Sequence, residues 1–482
     1  MQDAHRSASL SCQTRCGLIH QGSPPFASHR IKGNLIAIAC MPPVHLSADG
    51  IVAASPRARR AGIVRSAERP REDLRSLSSR ALRFTACVLC ACLFLQRFAV
   101  PLGAKPFSLV GPVGLLLAAM AVWKGTLVIH RFRLCAFLFL AFCVLAGLMM
   151  QVLRPNGTLD GPLNLASMAQ FLLLTSFAVF SFAEPVDETR FFRLVNFWFA
   201  VIAAAGVAQF FAQMVGVRVF AFTGILPSPI LYEYGYNTQI PVGVGGLYKS
   251  NGFFLVEPSI FSQVMALGLI IEMLSFRRTA YLALFAISEL LSFSGTGWIV
   301  IGSFVVAATI GMGQRGIALA AAMLLLLGLA FGICSFAAPE LAGALQQRVG
   351  EISKPGTSGH RRFITPFWAL SDTLAEQPSA ALVGLGSGVS EQLHVPYDYD
   401  VNTPVKVALD EGFPALFAYI LLFVAGRKSP IQAALVVPAC MLFFFTGAYQ
   451  QFPPVIFLVL ILISVARLRP ADTGAAAAIA AV

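Results

Sequence analysis

The chain has 482 residues, of which 57% are hydrophobic and 12% charged, with a mean hydropathy of +0.74. So few charged groups could not cover the surface of a water-soluble protein of this length, which excludes a soluble globular enzyme. The net charge of +12 invites a nucleic-acid reading. However, residues 1–80 alone hold twelve Lys/Arg against five Asp/Glu, and most of the other cations fall in short breaks between apolar runs. That distribution is the positive-inside pattern of a membrane protein, so no nucleic-acid partner is expected, only anionic lipid headgroups.

Taken in chain order, residues 1–80 are rich in Arg, Ser, Ala and Pro and lack a sustained apolar period. They read as a disordered basic cytoplasmic tail, or as an over-extended reading frame; the run Leu35–Met41 is too short to span a bilayer. Twelve apolar segments come next, at 83–103, 107–123, 134–153, 163–183, 192–216, 253–275, 279–293, 296–312, 316–338, 408–426, 431–448 and 453–467. Basic breaks at Arg80, Lys124 to Arg133, Arg190 with Arg193, Arg277 with Arg278, Arg315, Arg427 with Lys428, and Arg467 with Arg469 all share one side. The expectation is an all-α, polytopic helix bundle of about twelve transmembrane helices, with both termini cytoplasmic. Its regions are a bundle over 81–338, a large outward loop over 339–407, a second bundle section over 408–469 and a cytoplasmic tail over 470–482.

Seven of the ten cysteines lie inside apolar segments, so Cys87, Cys90 and Cys92 read as small packing residues and not as a metal cluster. The outward segments carry the usable polar chemistry. Lys249 lies in the shorter one, Val217 to Asn251; Arg348 and the run Ser358-Gly359-His360-Arg361-Arg362 lie in the longer one. Cations beside outward membrane ends run against the positive-inside trend, and guanidinium and ammonium groups match phosphate oxygens in shape and charge. His360 and His394 are the two outward histidines, able to take a proton from a hydroxyl or simply to be solvated. Glu257, ahead of Pro258 at the start of an apolar span, is an intramembrane carboxylate that needs a partner or a cavity. Glu272 lies beside Arg277 and Arg278, where those cations explain it; Glu289 sits deeper in its span and is unassigned. In the long loop, Phe363, Phe367, Leu370 and Leu374 recur at helical spacing beside Trp368, an amphipathic helix for the bilayer surface or for packing of the loop. Asp398-Tyr399-Asp400 has an Asp-x-Asp form, but three residues are a weak signal and no metal or cofactor is expected.

The ordered features over about residues 83–468 resemble the O-antigen polymerase and O-antigen ligase superfamily of bacterial inner-membrane enzymes. Those features are Leu95-Gln96-Arg97-Phe98, Lys249 with Gly252, Glu257-Pro258-Ser259, Ser292-Phe293-Ser294-Gly295-Thr296-Gly297, the loop run with His360 to Arg362, Trp368, Gly384-Leu385-Gly386, Asn402 and Glu411-Gly412. The chain departs from the family in having Gly295 where an Arg is expected, and Val401 instead of His before Asn402; both favour an exopolysaccharide polymerase over a ligase. The resemblance implies metal-independent polymerisation of undecaprenyl-pyrophosphate-linked oligosaccharide repeat units at the periplasmic face of the inner membrane. It implies Glu257, His360 or His394 acting on the attacking hydroxyl, and Lys249, Arg348, Arg361, Arg362 and Asn402 binding the substrate. Chain-length regulators and export proteins are the implied partners. Ligase-type transfer to a lipid or protein acceptor is one alternative, and a lipid-linked oligosaccharide flippase is another.

Overall fold

The computed structural model describes residues 69–102, 105–153, 164–217, 222, 226–232, 240–242, 248–337, 339, 343, 346, 353–393, 395–445 and 452–469. Helix dominates them. The helices are α1 (Arg69–Phe94), α2 (Val110–Trp123), α3 (Arg131–Leu153), α4 (Leu165–Ser176), α5 (Glu188–Met214), α6 (Pro258–Ser275), α7 (Thr279–Leu291) and α8 (Thr296–Ala337). In the loop region come α9 (Ser358–Phe363), α10 (Thr365–Glu376) and α11 (Ala380–Val383), and then α12 (Thr403–Val424), α13 (Pro430–Phe445) and α14 (Pro453–Leu460). Five helices are long and apolar enough to cross a membrane, namely α3, α5, α6, the Thr296–Ile333 stretch of α8, and α12. Shorter apolar helices stand at Val110–Trp123, Leu165–Val179, Thr279–Leu291, Pro430–Phe443 and Pro453–Val465.

The helix α6 is the axis of the bundle. Almost every one of its residues is buried, and α5, α7, α8 and α13 pack around it. By contrast α3 and α8 expose large apolar side chains, among them Leu138, Phe142, Leu325, Leu329 and Ile333. Apolar surface on that scale belongs against lipid, not water. The core between these helices is rich in phenylalanine, including Phe171, Phe191, Phe199, Phe261, Phe285 and Phe304, all fully buried.

Several apolar runs are not helical throughout. The first run leaves the helix at Phe94 and continues as a hairpin of β1 (Ala99–Leu102) and β2 (Lys105–Ser108), where Ala99 faces Ser108. Pro101 and Pro106 lack the amide a helix requires, and a hairpin accommodates them. The run 163–183 likewise ends in β4 (Phe180–Phe182), which pairs antiparallel with β3 (Leu127–Ile129). Within α8 the break expected beside Arg315 falls at Gly313, whose φ of 57° and ψ of −134° no helix tolerates. A Cβ on Gly316 would collide with the Ala308 carbonyl, eight residues earlier, so the chain doubles back there. In a continuous helix those two residues would be about 12 Å apart.

In α12 the break is at Gly412, with φ 85° and ψ 168°. Pro414 has no amide to give the Asp410 carbonyl, the acceptor four residues before it. The amides of Leu385 and Gly386 supply the missing bonds, reaching the carbonyls of Leu409 and Asp410 at 2.7 and 2.8 Å. The segment after α11 is thereby fastened to the middle of a helix.

Candidate functional site

A cavity of about 900 Å³ opens where α6 and α8 begin, lined by Lys249, Glu257, Ser259, Ser294, Thr296 and Arg362 among its polar residues. Its apolar wall is Leu324, Leu327, Gly328 and Phe331, from the returning leg of α8. One cavity therefore holds two cations, a carboxylate, several hydroxyls and a greasy face.

The segment carrying Lys249 and Glu257 is irregular, and buried polar side chains from other helices fix its shape. Gln209 of α5 accepts from the amides of Asn251 (3.1 Å) and Phe253 (2.9 Å), and from the Ser250 hydroxyl at 3.2 Å. Its own amide donates to Asn251 Oδ1 at 2.9 Å. Arg97 Nε donates to the Leu255 carbonyl at 3.1 Å, and Gln96 Oε1 accepts from the Val256 amide at 3.4 Å. These bonds hold Gly252 and Phe253 in the left-handed region, with φ of 67° and 64°. The Gln96-Arg97 pair and the Lys249-to-Glu257 stretch, far apart in sequence, are thus one structural unit.

Glu257 is the N-cap residue of α6, in extended backbone, with Pro258 opening the helix. Its carboxylate accepts from the Ser259 hydroxyl. Towards the other end of α6, about 22 Å away by helix rise, Glu272 is buried and gripped by the Arg278 guanidinium through two bonds of 2.8 and 2.7 Å, and by the Arg278 amide at 2.9 Å. Asn196 adds a further donor to it at 2.9 Å.

The loop helices deliver the second cation. Arg361 and Arg362 sit together in α9 and share Asp400, but only Arg362 reaches the cavity. Arg361 Nη2 pairs with Asp400 Oδ1 at 3.1 Å, whereas Arg362 lines the cavity with its Nε 3.7 Å from Asp400 Oδ2. Asp400 is thus engaged by both arginines. Asn402 is fully buried: its Oδ1 caps α12 through the Val405 amide, and its Nδ2 donates to the Arg362 carbonyl at 3.4 Å. It supports Arg362 from behind and does not line the cavity. His360 is buried too, its ring meeting Trp368 edge-on at 5.3 Å, away from the cavity. Trp368 in turn meets Tyr397, whose hydroxyl donates to Asp372 at 2.7 Å. Burial, and then that carboxylate, push the Tyr397 phenol up to about 12, so it remains a donor. Arg348 and His394 lie outside the described residues.

The amphipathic stretch forms α9 and α10, with Phe367 and Trp368 half exposed. Further along, Lys406 is completely buried. Its Nζ lies 3.0 Å from both Glu391 Oε1 and Asp410 Oδ2. Asp410 also accepts from the amides of Gly388 and Ser390, at 3.0 and 2.8 Å. This cluster fastens the Gly388–Glu391 stretch of the loop to α12.

Of the expected site residues, Lys249, Glu257 and Arg362 converge on the cavity, while Arg361, His360 and Asn402 stand behind it. Gln209 and Lys406 are not among the expected site residues. A polar amide inside an apolar span is itself the signal for Gln209, whereas Lys406 lies just ahead of its apolar span and shows its burial only in the fold. Compared with protein-family models and with curated proteins, the chain matches none.

Proposed function

We propose that this protein polymerises polyprenyl-pyrophosphate-linked oligosaccharide units at the outward face of a bacterial inner membrane. In this reading the chain crosses the bilayer about twelve times, has both termini in the cytoplasm and opens its cavity to the periplasm. The observation that carries it is the composition of the cavity: Lys249 and Arg362 together with Glu257, beside the apolar leg Leu324 to Phe331. A ligand with a dianionic head, a hydroxylated glycan and a long hydrocarbon tail needs each of those surfaces at once.

The reaction can be built from the same residues. A hydroxyl of the acceptor glycan attacks the anomeric carbon of the donor, and the bond from that carbon to the pyrophosphate oxygen breaks. Glu257 takes the hydroxyl proton, and Lys249 and Arg362 offset the charge that develops on the departing pyrophosphate. Arg361, held on Asp400, keeps the potential positive from one layer back. The bundle fixes both lipid-anchored reactants next to each other, which removes most of the entropic cost of their meeting.

The test is the purified protein with lipid-linked repeat units, read as a ladder of longer chains. Arg362→Ala and Glu257→Gln should abolish the ladder, whereas Arg361→Ala should only weaken it. A wild-type protein that moves the substrate between leaflets without lengthening it would overturn the assignment.

A further inference from the structure

The turn between α7 and α8 contributes Ser294, Gly295 and Thr296 to the cavity, and its support leads to a buried acid that the proposed chemistry does not use. Ser262 of α6 accepts from the Gly297 amide at 2.8 Å and donates to Glu289 Oε1 of α7 at 2.7 Å. Thr296 Oγ1 donates to the Ser259 carbonyl at 2.9 Å and is 2.9 Å from Ser294 Oγ. Three helices therefore meet at a single hydroxyl. Position 297 must be glycine for this, because a Cβ there would overlap both Ser262 and Glu289. Glu289 is fully buried, and its Oε2 has no hydrogen-bond partner among the described residues. A carboxyl group in that setting is costly, and packing alone would be served by an apolar side chain.

We propose that Glu289, acting through Ser262, is a positioning residue that holds the Ser294–Thr296 turn as the subsite for the sugar portion of the substrate. This rests on the glycan-polymerase reading for the identity of the ligand. Cations on one wall suit the pyrophosphate, and the α8 leg suits the tail. The hydroxyls of Ser259, Ser294 and Thr296 direct their protons within the site and keep lone pairs to accept from a sugar, whose own hydroxyls need short, directional partners.

Two arms test it. In the first, Gly295→Cys reports on the turn, since a Cβ there meets nothing within 4 Å. Maleimide labelling of the Thr279–Arg315 peptide, which has no native cysteine, is read by mass spectrometry. Glu289→Leu and Ser262→Ala should speed labelling about tenfold, the worth of one buried hydrogen bond, and Glu289→Gln, which keeps the acceptor oxygen, should not. Labelling unchanged in Glu289→Leu and Ser262→Ala overturns the positioning role, whatever the protein's activity. In the second arm, the same two variants should bind lipid-linked repeat units about tenfold more weakly yet bind undecaprenyl pyrophosphate as wild type does. Equal loss of both ligands overturns the sugar subsite; wild-type protein that binds neither overturns it together with the polymerase reading, and leaves the labelling arm to decide the role of Glu289.

Discussion

Replacing Lys406 by methionine keeps the length of the side chain and deletes its charge, and the structure allows the cost to be estimated. The ammonium is fully buried, 3.0 Å from Asp410 and from Glu391. Removing one partner of a buried ion pair costs about 3–5 kcal/mol. Two features place this case at the low end. Glu391 is a third exposed, so water screens its share. Asp410 retains the amides of Gly388 and Ser390 when the lysine is gone. The expected penalty is about 3 kcal/mol, or roughly a hundredfold in the local opening equilibrium. Hydrogen–deuterium exchange at Gly388 and Ser390 reads that equilibrium directly. Their protection should fall about a hundredfold in Lys406→Met, and adding Asp410→Asn should cost less than the sum of the two single changes. Exchange within about threefold of wild type would refute the view that this ion cluster fastens the loop.

The cavity yields two further expected outcomes. Gln209→Leu strands the buried amide of Asn251, at about 1–3 kcal/mol, and the half-buried amide of Phe253, so the purified protein should unfold at a clearly lower temperature; an unchanged melting temperature would contradict the network. Gly295→Arg should fold, because its position is open, and the long side chain in the sugar subsite should weaken binding of lipid-linked repeat units more than that of undecaprenyl pyrophosphate. Unchanged affinity for the repeat units would show that this position does not face the sugar.

Hydropathy located most of the helices because burying a run of apolar residues in lipid leaves few other solutions for the backbone. It set the ends less well. The run through residue 103 looks continuous by composition, yet the chain leaves the helix at Phe94, because inward-turned Gln96 and Arg97 and then the prolines govern the path beyond it. Lys249, Glu257 and Arg362 were visible because a charge beside an apolar span is conspicuous on its own. Which of two adjacent arginines enters the cavity was not visible, because that depends on how the short helix α9 is set against the cavity wall. Glu289 stood out as an intramembrane acid, but its purpose lies in a contact with Ser262 on another helix. Chemistry that depends on one residue's type can be read along a line; chemistry that depends on who stands opposite needs the fold.

The interruption at Gly412 and Pro414 also bears on how the protein is assembled. A helix that has surrendered two of its acceptors to the stretch around Leu385 is incomplete while that stretch is elsewhere. Inserted alone, it would present bare carbonyls to hydrocarbon, where no water can answer them. Synthesis delivers residue 385 before residue 410, so the strap is already waiting when its helix arrives. Shortening the strap would therefore be felt first as failed insertion, before any loss of activity could be measured.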